Sequence, residues 1–277
     1  MVAVVVEALV DAPCPRAGIT ITDLGVGDSL VSVWRSADGV RDPVRGARRV
    51  TMTDAAYLVD WDVPLGRPVS YEVEVISGPA GSSRTYSDAV TVESSSGWLM
   101  DPLVPQSAVP VVGGLGDDTY LRSSALSQLE YGAEVSVFQI MGSDRPLALF
   151  GQRMAERGLD TSLSTRSAEQ NARLEKLLKS TAQLLFRPLP GWGTRTLPGS
   201  LFLGNATATQ LPVDVSWGGD LTWWDLKSDV VQAPAIRVLT ASFSYGDVAI
   251  LMDTYQQKQD LMAGKTYLDD LKNPLGG

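Results

Sequence analysis

Apolar and polar residues alternate over the first third of the chain, which is the pattern of β-strands that bury one face. Residues 69–75 (VSYEVEV) show it most clearly, with apolar or aromatic side chains at the odd positions and polar ones at the even positions. Successive side chains of a strand point to opposite faces. We therefore expect the odd-numbered set to face a core, and Ser70, Glu72 and Glu74 to face water.

Four further segments are short and rich in β-branched and aromatic residues, and each predicts a strand. They are residues 19–22, 30–36, 57–61 and 89–92. Glycine- and proline-containing turns separate them, and this regular spacing is typical of an immunoglobulin-like or fibronectin type III-like β-sandwich. We predict such a sandwich over residues 1–97, ending in the small polar linker 94–97 (SSSG).

The next segment, residues 98–243, predicts a second β-rich domain with one covering helix near 167–182. Ser167 and Gln170 have the spacing of a capping box at a helix start. Leu174, Leu177 and Leu178 then share one helical face. Strands are predicted around this helix at residues 133–141, 148–151, 183–187, 200–208, 211–217, 221–226 and 236–240. The fold class predicted for the whole chain is therefore mainly β.

The last segment, residues 244–277, predicts a C-terminal helical arm. Its apolar residues recur at helical spacing and form a candidate interface. They are Val248, Leu251, Met252, Tyr255 and Met262. An apolar helical face must pack either on its own domain or on a neighbouring molecule, and the sequence leaves both open.

The composition of the chain excludes several kinds of catalytic, metal-binding and ligand-binding site. The chain has no histidine, which excludes imidazole as a catalytic base or metal ligand, and its single cysteine, Cys14, excludes an internal disulfide. The glycine–aspartate loop at 113–118 lacks the ligand spacing of a calcium-binding EF-hand loop. We expect no catalytic residue, no metal site and no cofactor. The net charge of −9 disfavours nucleic acid as a primary ligand, and no apolar run has the roughly 20 residues of a membrane anchor.

Three tryptophans lie close together in the sequence, at Trp217, Trp223 and Trp224. Aromatic faces can form a platform for sugar rings. Trp223 and Trp224 are adjacent and must point to opposite faces if they lie on a strand, which favours core or subunit-interface positions instead. We retain all three as candidate interface residues.

Four arginines form a basic group within residues 41–49, namely Arg41, Arg45, Arg48 and Arg49. We interpret them as a solvated edge or, in a functional role, as rim charges that face an acidic protein surface and steer assembly. Paired acids are further candidates for chemistry, because a glycosidase needs two carboxylates and no histidine. They are Asp60 and Asp62, which flank Trp61, and Asp214, Asp220 and Asp225, which lie near the three tryptophans.

Several motifs resemble minor tail proteins of long-tailed phages (siphoviruses) of actinobacteria. In the first domain these are residues 31–35 (VSVWR), 43–46 (PVRG) and 60–71 (DWDVPLGRPVSY). In the second domain they are residues 98–103 (WLMDPL), 145–147 (RPL), 184–188 (LLFRP) and 225–234 (DLKSDVVQAP). The resemblance follows the same order along most of residues 20–243, and its motifs are structural rather than catalytic.

This resemblance implies a virion component of the phage tail, similar to a distal tail or hub-adaptor protein of the baseplate. Such a protein forms a ring with copies of itself, of three-fold or six-fold symmetry, and contacts tail tube, tape measure and hub proteins. DNA would only pass through the ring as cargo, and an acidic lumen would repel it. The alternatives are a tail adhesin that binds a host receptor or glycan, and a tail-associated hydrolase.

Overall fold

The computed structural model describes residues 2–113, 119–127, 130, 133–142, 144–153, 157–193, 197–214, 218–235, 254–261 and 263–264. The fold is mainly β and is built from antiparallel sheets. The chain forms two compact units. Unit one comprises Met1–Ser94, Pro102–Ala108 and Pro234–Gly277, and unit two comprises Ser95–Asp101 and Val109–Ala233.

Unit one contains two sheets. The smaller has the order β1-β2-β6, and the larger has the order β4-β3-β7-β8, with β5 also paired to β3 and β9 to β7. The strands are β1 (Ala3–Leu9), β2 (Arg16–Thr22), β3 (Asp28–Ala37), β4 (Val40–Pro43), β5 (Val50–Thr53), β6 (Ala56–Asp60), β7 (Pro68–Ser77), β8 (Ser83–Tyr86) and β9 (Val90–Thr91). Each of the predicted strands of this unit overlaps one of them.

The alternation in β7 is confirmed on its apolar side. Val69, Tyr71, Val73 and Val75 are all buried. The prediction that Glu72 faces water is wrong, because this side chain is also buried. Two arginines cover it: Arg41 of β4 donates from Nε to its Oε2 at 2.9 Å, and Nε of Arg84, on the neighbouring strand β8, lies 3.6 Å from its Oε1.

An eight-stranded sheet, which belongs to unit two apart from residues 104–108 of β11, has the order β11-β10-β17-β18-β19-β16-β12, with β15 paired to β19. Its strands are β10 (Gly97–Asp101), β11 (Val104–Val111), β12 (Tyr120–Leu121), β15 (Leu159–Asp160), β16 (Leu163–Thr165), β17 (Leu184–Arg187), β18 (Leu201–Pro212) and β19 (Thr222–Val231). The segments 200–208 and 211–217, predicted as separate strands, contribute to the single strand β18. It pairs with β19 along most of its length, with one register shift between Gly204 and Thr207.

Helix α1 (Ala168–Ser180) is the predicted covering helix. The Ser167 hydroxyl accepts from the Gln170 amide at 3.2 Å. The Gln170 side chain accepts from the amide of Arg166, one residue before the expected partner. Leu174 and Leu177 are buried in one core with leucines of the sheet, so the helix is held mainly by its apolar face.

Two elements lie apart from these layers. Strands β13 (Ala133–Phe138) and β14 (Leu147–Arg153) form a two-stranded hairpin that pairs with no other described strand. Helix α2 (Tyr255–Leu261) lies within the predicted arm. The remainder of the arm, apart from Thr254 and residues 263–264, and the predicted strand at 236–240 lie outside the described residues.

Candidate functional site

Three side chains form a row across one edge of the eight-stranded sheet. Tyr120 of β12 pairs with Ser164 of β16, and Ser164 pairs with Trp223 of β19. Directly paired residues of antiparallel strands share a face of the sheet. The row therefore presents an aromatic ring, a hydroxyl and an indole side by side.

The opposite face of the same strands belongs to the core. Leu163 pairs with Trp224, and both are buried with the leucines of α1. The Trp224 indole donates from Nε1 to Thr165 Oγ1 at 3.0 Å and to Asn171 Oδ1 at 3.3 Å. Adjacent tryptophans thus face opposite sides, with Trp223 38% exposed and Trp224 only 4% exposed.

Polar groups lie beside the aromatic row. The Arg122 guanidinium stacks over the Trp223 ring, 4.6 Å from its centroid, and pairs with the Asp225 carboxylate. Ser164 is 1% exposed, and its hydroxyl has no hydrogen-bond partner in the described part of the chain. A buried hydroxyl without a partner is costly, so this atom is a ready donor and acceptor for a ligand.

A third aromatic side chain, Trp192, rests against glycine backbone. A Cβ placed on Gly97 would lie 2.7 Å from Trp192 Cζ3, and one on Gly113 would lie 2.8 Å from Nε1. Both distances are shorter than real Cβ contacts. Any residue other than glycine at these two positions would therefore require the Trp192 indole to shift. Trp192 also packs against the core of unit two.

Together these residues line a cleft of about 650 Å³, which we call the aromatic cleft. Its lining includes Gly113, Tyr120, Arg122, Ser164, Trp192 and Trp223. This volume falls within the range of about 300–1,000 Å³ common for small-molecule sites. The arrangement suits a ligand with a flat apolar face and polar edges.

The β13–β14 hairpin, which we call the apolar hairpin, is a second candidate surface. Its large apolar side chains are exposed, with Phe150 at 77% and Val137 at 61%. The other members with this property are Val135, Phe138, Ile140, Met141, Leu147 and Leu149. Exposed apolar patches of this kind mark interaction surfaces.

Both faces of the apolar hairpin carry apolar residues. Val135 pairs with Phe150 on one face, and Phe138 pairs with Leu147 on the other. A two-stranded hairpin is only marginally stable in water by itself. An element of this composition is stabilised when another molecule covers it on both sides.

Some of the predicted interface residues lie in the described part of the chain and the others lie outside it. Trp223 lies in the aromatic cleft and Trp224 in the core. Tyr255 is the first residue of α2. The remaining predicted residues lie outside the described part of the chain: Trp217, Val248, Leu251, Met252 and Met262.

The four predicted rim arginines are not equivalent. Arg48 and Arg49 are exposed. Arg41 stacks over Trp34, 3.8 Å from the ring centroid, while pairing with Glu72. For Arg45 the prediction of an exposed rim charge is wrong. Its side chain is almost fully buried because it forms two hydrogen bonds to Asp62, at 2.8 and 2.6 Å.

The acids Asp60 and Asp62 serve a buried charge network in unit one. Arg35 donates to Asp60 at 3.0 and 3.1 Å, and the Tyr71 hydroxyl donates to Asp60 at 2.9 Å. Burial would lower the pKa of Arg35, but Asp60 and Asp62 outweigh it and raise that pKa above its ordinary value. Neither carboxylate is free to act as a catalytic acid, because each is held by an arginine.

Other classes of site are absent from the described ranges. No group of three or more metal-ligating side chains occurs there. No helix among them has the length and apolar character required to cross a membrane. Cys14 is buried and is not part of a disulfide.

Sequence reasoning missed three parts of these surfaces. Tyr120 and Trp192 lie far from Trp223 in sequence, and only the sheet order and the glycine contacts bring them together. The hairpin strands were predicted, but their exposure was not, since apolar alternation does not tell a core strand from an interface strand.

No protein-family model, curated protein or solved structure matches the chain.

Proposed function

We propose that this protein is a structural component of the tail tip of a long-tailed phage of actinobacteria. In this proposal it is a minor tail protein that forms a ring with copies of itself and joins the tail tube to the baseplate and hub. Tape measure and hub proteins are its further partners. The exposed apolar hairpin carries the proposal, because assembly supplies the cover that this element lacks.

The two-faced composition of the hairpin favours insertion between neighbours over contact with one flat surface. Phe150 and Val137 lie on one face, and Phe138 and Leu149 lie on the other. A head-to-tail contact repeated around an axis buries both faces in every copy and closes into a ring. This geometry supports self-assembly over a single pairwise contact.

The organisation of unit one also supports the proposal. Its two sheets are joined across the interior by Asp60 of β6, which accepts from Arg35 of β3 and Tyr71 of β7. We infer an immunoglobulin-like or fibronectin type III-like sandwich, a common architecture of binding and assembly modules. We further propose that residues 244–277 form a helical arm that packs on a neighbouring tail protein.

The charge of the chain fits a ring through which DNA passes. A net charge of −9 lets the lumen repel the phosphate backbone, so DNA slides instead of binding. Mapping the potential of an assembled ring tests this step. A positively charged lumen would contradict it.

The mass of the purified protein in solution, measured by light scattering, tests self-assembly. We expect a ring-sized species for the full chain, against a monomer mass of 29.7 kDa. A double variant, Val137→Thr with Phe150→Thr, keeps β-propensity and removes the two most exposed apolar side chains of one strand-paired face, so we expect monomers. Removing residues 244–277 tests the arm in the same way.

The matched control is Val26→Thr. Val26 is fully exposed in unit one and lies outside the hairpin, so its replacement leaves the mass unchanged. A full chain that stays monomeric at every concentration, or a hairpin variant that keeps the mass of the full chain, would overturn assembly through the hairpin. Circular dichroism of the variants verifies that they remain folded.

A further inference from the structure

The aromatic cleft has the chemistry of a ligand site, independently of assembly. Trp192 and Trp223 offer large apolar rings, and the Ser164 hydroxyl lies between Tyr120 and Trp223 in the sheet. Ser164 is almost fully buried and its Oγ lacks a partner among the described residues. A ligand hydroxyl at this point would satisfy it.

Close contacts and strand pairing hold the backbone that carries the rings of the cleft. The Trp192 indole is confined by the backbones of Gly97 and Gly113, and Tyr120 and Trp223 are fixed by strand pairing on β12 and β19. Binding to fixed aromatic rings loses little side-chain entropy. Rings held in this way favour guests with a flat apolar face.

The charged groups at the cleft suit a guest with several hydroxyls, and they include a second cation, because the Arg166 guanidinium lies over the Tyr120 ring, 5.3 Å from its centroid. Arg122 is already paired with Asp225, so the rim offers guanidinium donors and carboxylate acceptors in one place. A phosphate or carboxylate ligand would compete with Asp225 for Arg122 and would also meet Arg166, so an anion is the competing occupant of this cleft. Neighbouring hydroxyl groups, in contrast, can donate to the carboxylate and accept from the guanidinium.

We propose that the aromatic cleft binds a neutral carbohydrate. A pyranose ring stacks its C–H face on Trp223 or Trp192, and its hydroxyls bond to the Arg122–Asp225 pair and to Ser164. A volume of about 650 Å³ accommodates a short oligosaccharide. Adenine also stacks on aromatic rings, and the phosphate of a nucleotide can pair with Arg166, so a nucleotide is the competing outcome of the test.

The experiment screens the full chain against an array of neutral and acidic glycans, and titrates hits by calorimetry with adenosine monophosphate in parallel. We expect a neutral glycan to bind and adenosine monophosphate not to bind. Trp223→Ala should weaken binding by about tenfold or more, and Trp223→Phe should retain part of it. Tyr86→Ala is the matched control, because Tyr86 is an exposed aromatic residue of unit one.

Three results would overturn the proposal. These are an array without a neutral hit, tighter binding of adenosine monophosphate than of any sugar, and a Trp223→Ala protein that is folded and binds as well as the original. The double hairpin variant gives an independent check. It should lose assembly and keep glycan binding, so failure of one proposal is distinguishable from failure of the other.

Discussion

Each unit places an arginine and aromatic residues on its strands, but the two arrangements differ in whether their polar atoms are satisfied. In unit one, both oxygens of Asp60 accept hydrogen bonds, from Arg35, Tyr71 and the backbone of Asp62. In unit two, Trp223 is partly exposed, and the Ser164 hydroxyl beside it lacks a partner in the described residues. The first arrangement stabilises a fold, whereas the second leaves binding capacity unused.

Residue type alone therefore does not separate structure from function. Asp60 and Trp223 would both appear in a search for catalytic acids and sugar platforms, yet only Trp223 can reach a ligand. Burial and the number of satisfied hydrogen bonds distinguish a residue that stabilises the fold from one that can contact a ligand. Variants that remove side chains from the buried network of unit one, or from the two faces of the strands at the aromatic cleft, test this distinction.

The largest effect is expected from Asp60→Ala. The substitution leaves the Arg35 guanidinium buried without its main counter-charge, and breaking a buried pair in this way costs about 3–5 kcal/mol of unfolding free energy. Denaturant unfolding of the full chain, with and without the substitution, measures this loss of unfolding free energy. The control is Asp38→Asn, which removes an exposed ion pair to Arg67, suits the left-handed backbone of this residue (φ 50°) and should cost about 0–1 kcal/mol. Equal losses in both variants would show that the network is not specially stabilising.

The adjacent tryptophans give the next largest contrast. Trp224→Phe removes the indole donor shared by Thr165 and Asn171 in the core, at an expected cost of about 1–3 kcal/mol. Trp223→Phe keeps an aromatic ring on the open face and should change unfolding free energy by less than about 0.5 kcal/mol. Thermal and denaturant unfolding of the two variants compares the faces of one strand. A greater loss for Trp223→Phe would reverse the assignment of core and cleft.

Alkaline pH should weaken unit one through Tyr71. Burial, reinforced by Asp60, raises the pKa of this phenol well above its ordinary value of 10.0. The folded protein keeps the proton that the unfolded chain releases, so stability is intact below pH 10 and falls above it by about 1.4 kcal/mol per pH unit.

Tyr71→Phe provides the control for this pH dependence. It should remove about half of the fall between pH 10 and 11, because Tyr57 also keeps its proton in the folded protein over this range. The remaining slope reports Tyr57, where burial beside Glu7 raises the pKa to about 12. An unchanged slope in Tyr71→Phe would contradict the role of Tyr71.

Local pattern predicted much of this fold because each signal acts within a few residues. The β7 alternation and the Ser167 cap depend only on strand and helix geometry. Glu72 and Arg45 escaped prediction because their partners, Arg41 and Asp62, lie on other elements. The aromatic cleft escaped for the same reason, since Tyr120, Ser164 and Trp223 meet only through the order of the strands.

The smallest effect on stability is expected from Ser164→Ala. In a satisfied core, loss of a hydroxyl leaves a partner unbonded and destabilises the protein. Ser164 Oγ has no such partner in the described residues, so its removal should leave the unfolding free energy within about 0.5 kcal/mol or raise it slightly. Thr165→Val, which removes the hydroxyl that accepts from Trp224 on the covered face, should lose about 1 kcal/mol or more. Denaturant unfolding of the two variants compares how much each hydroxyl, on the cleft face and on the core face, contributes to the unfolding free energy. A loss at Ser164 as large as that at Thr165 would mean that its hydroxyl already serves the fold.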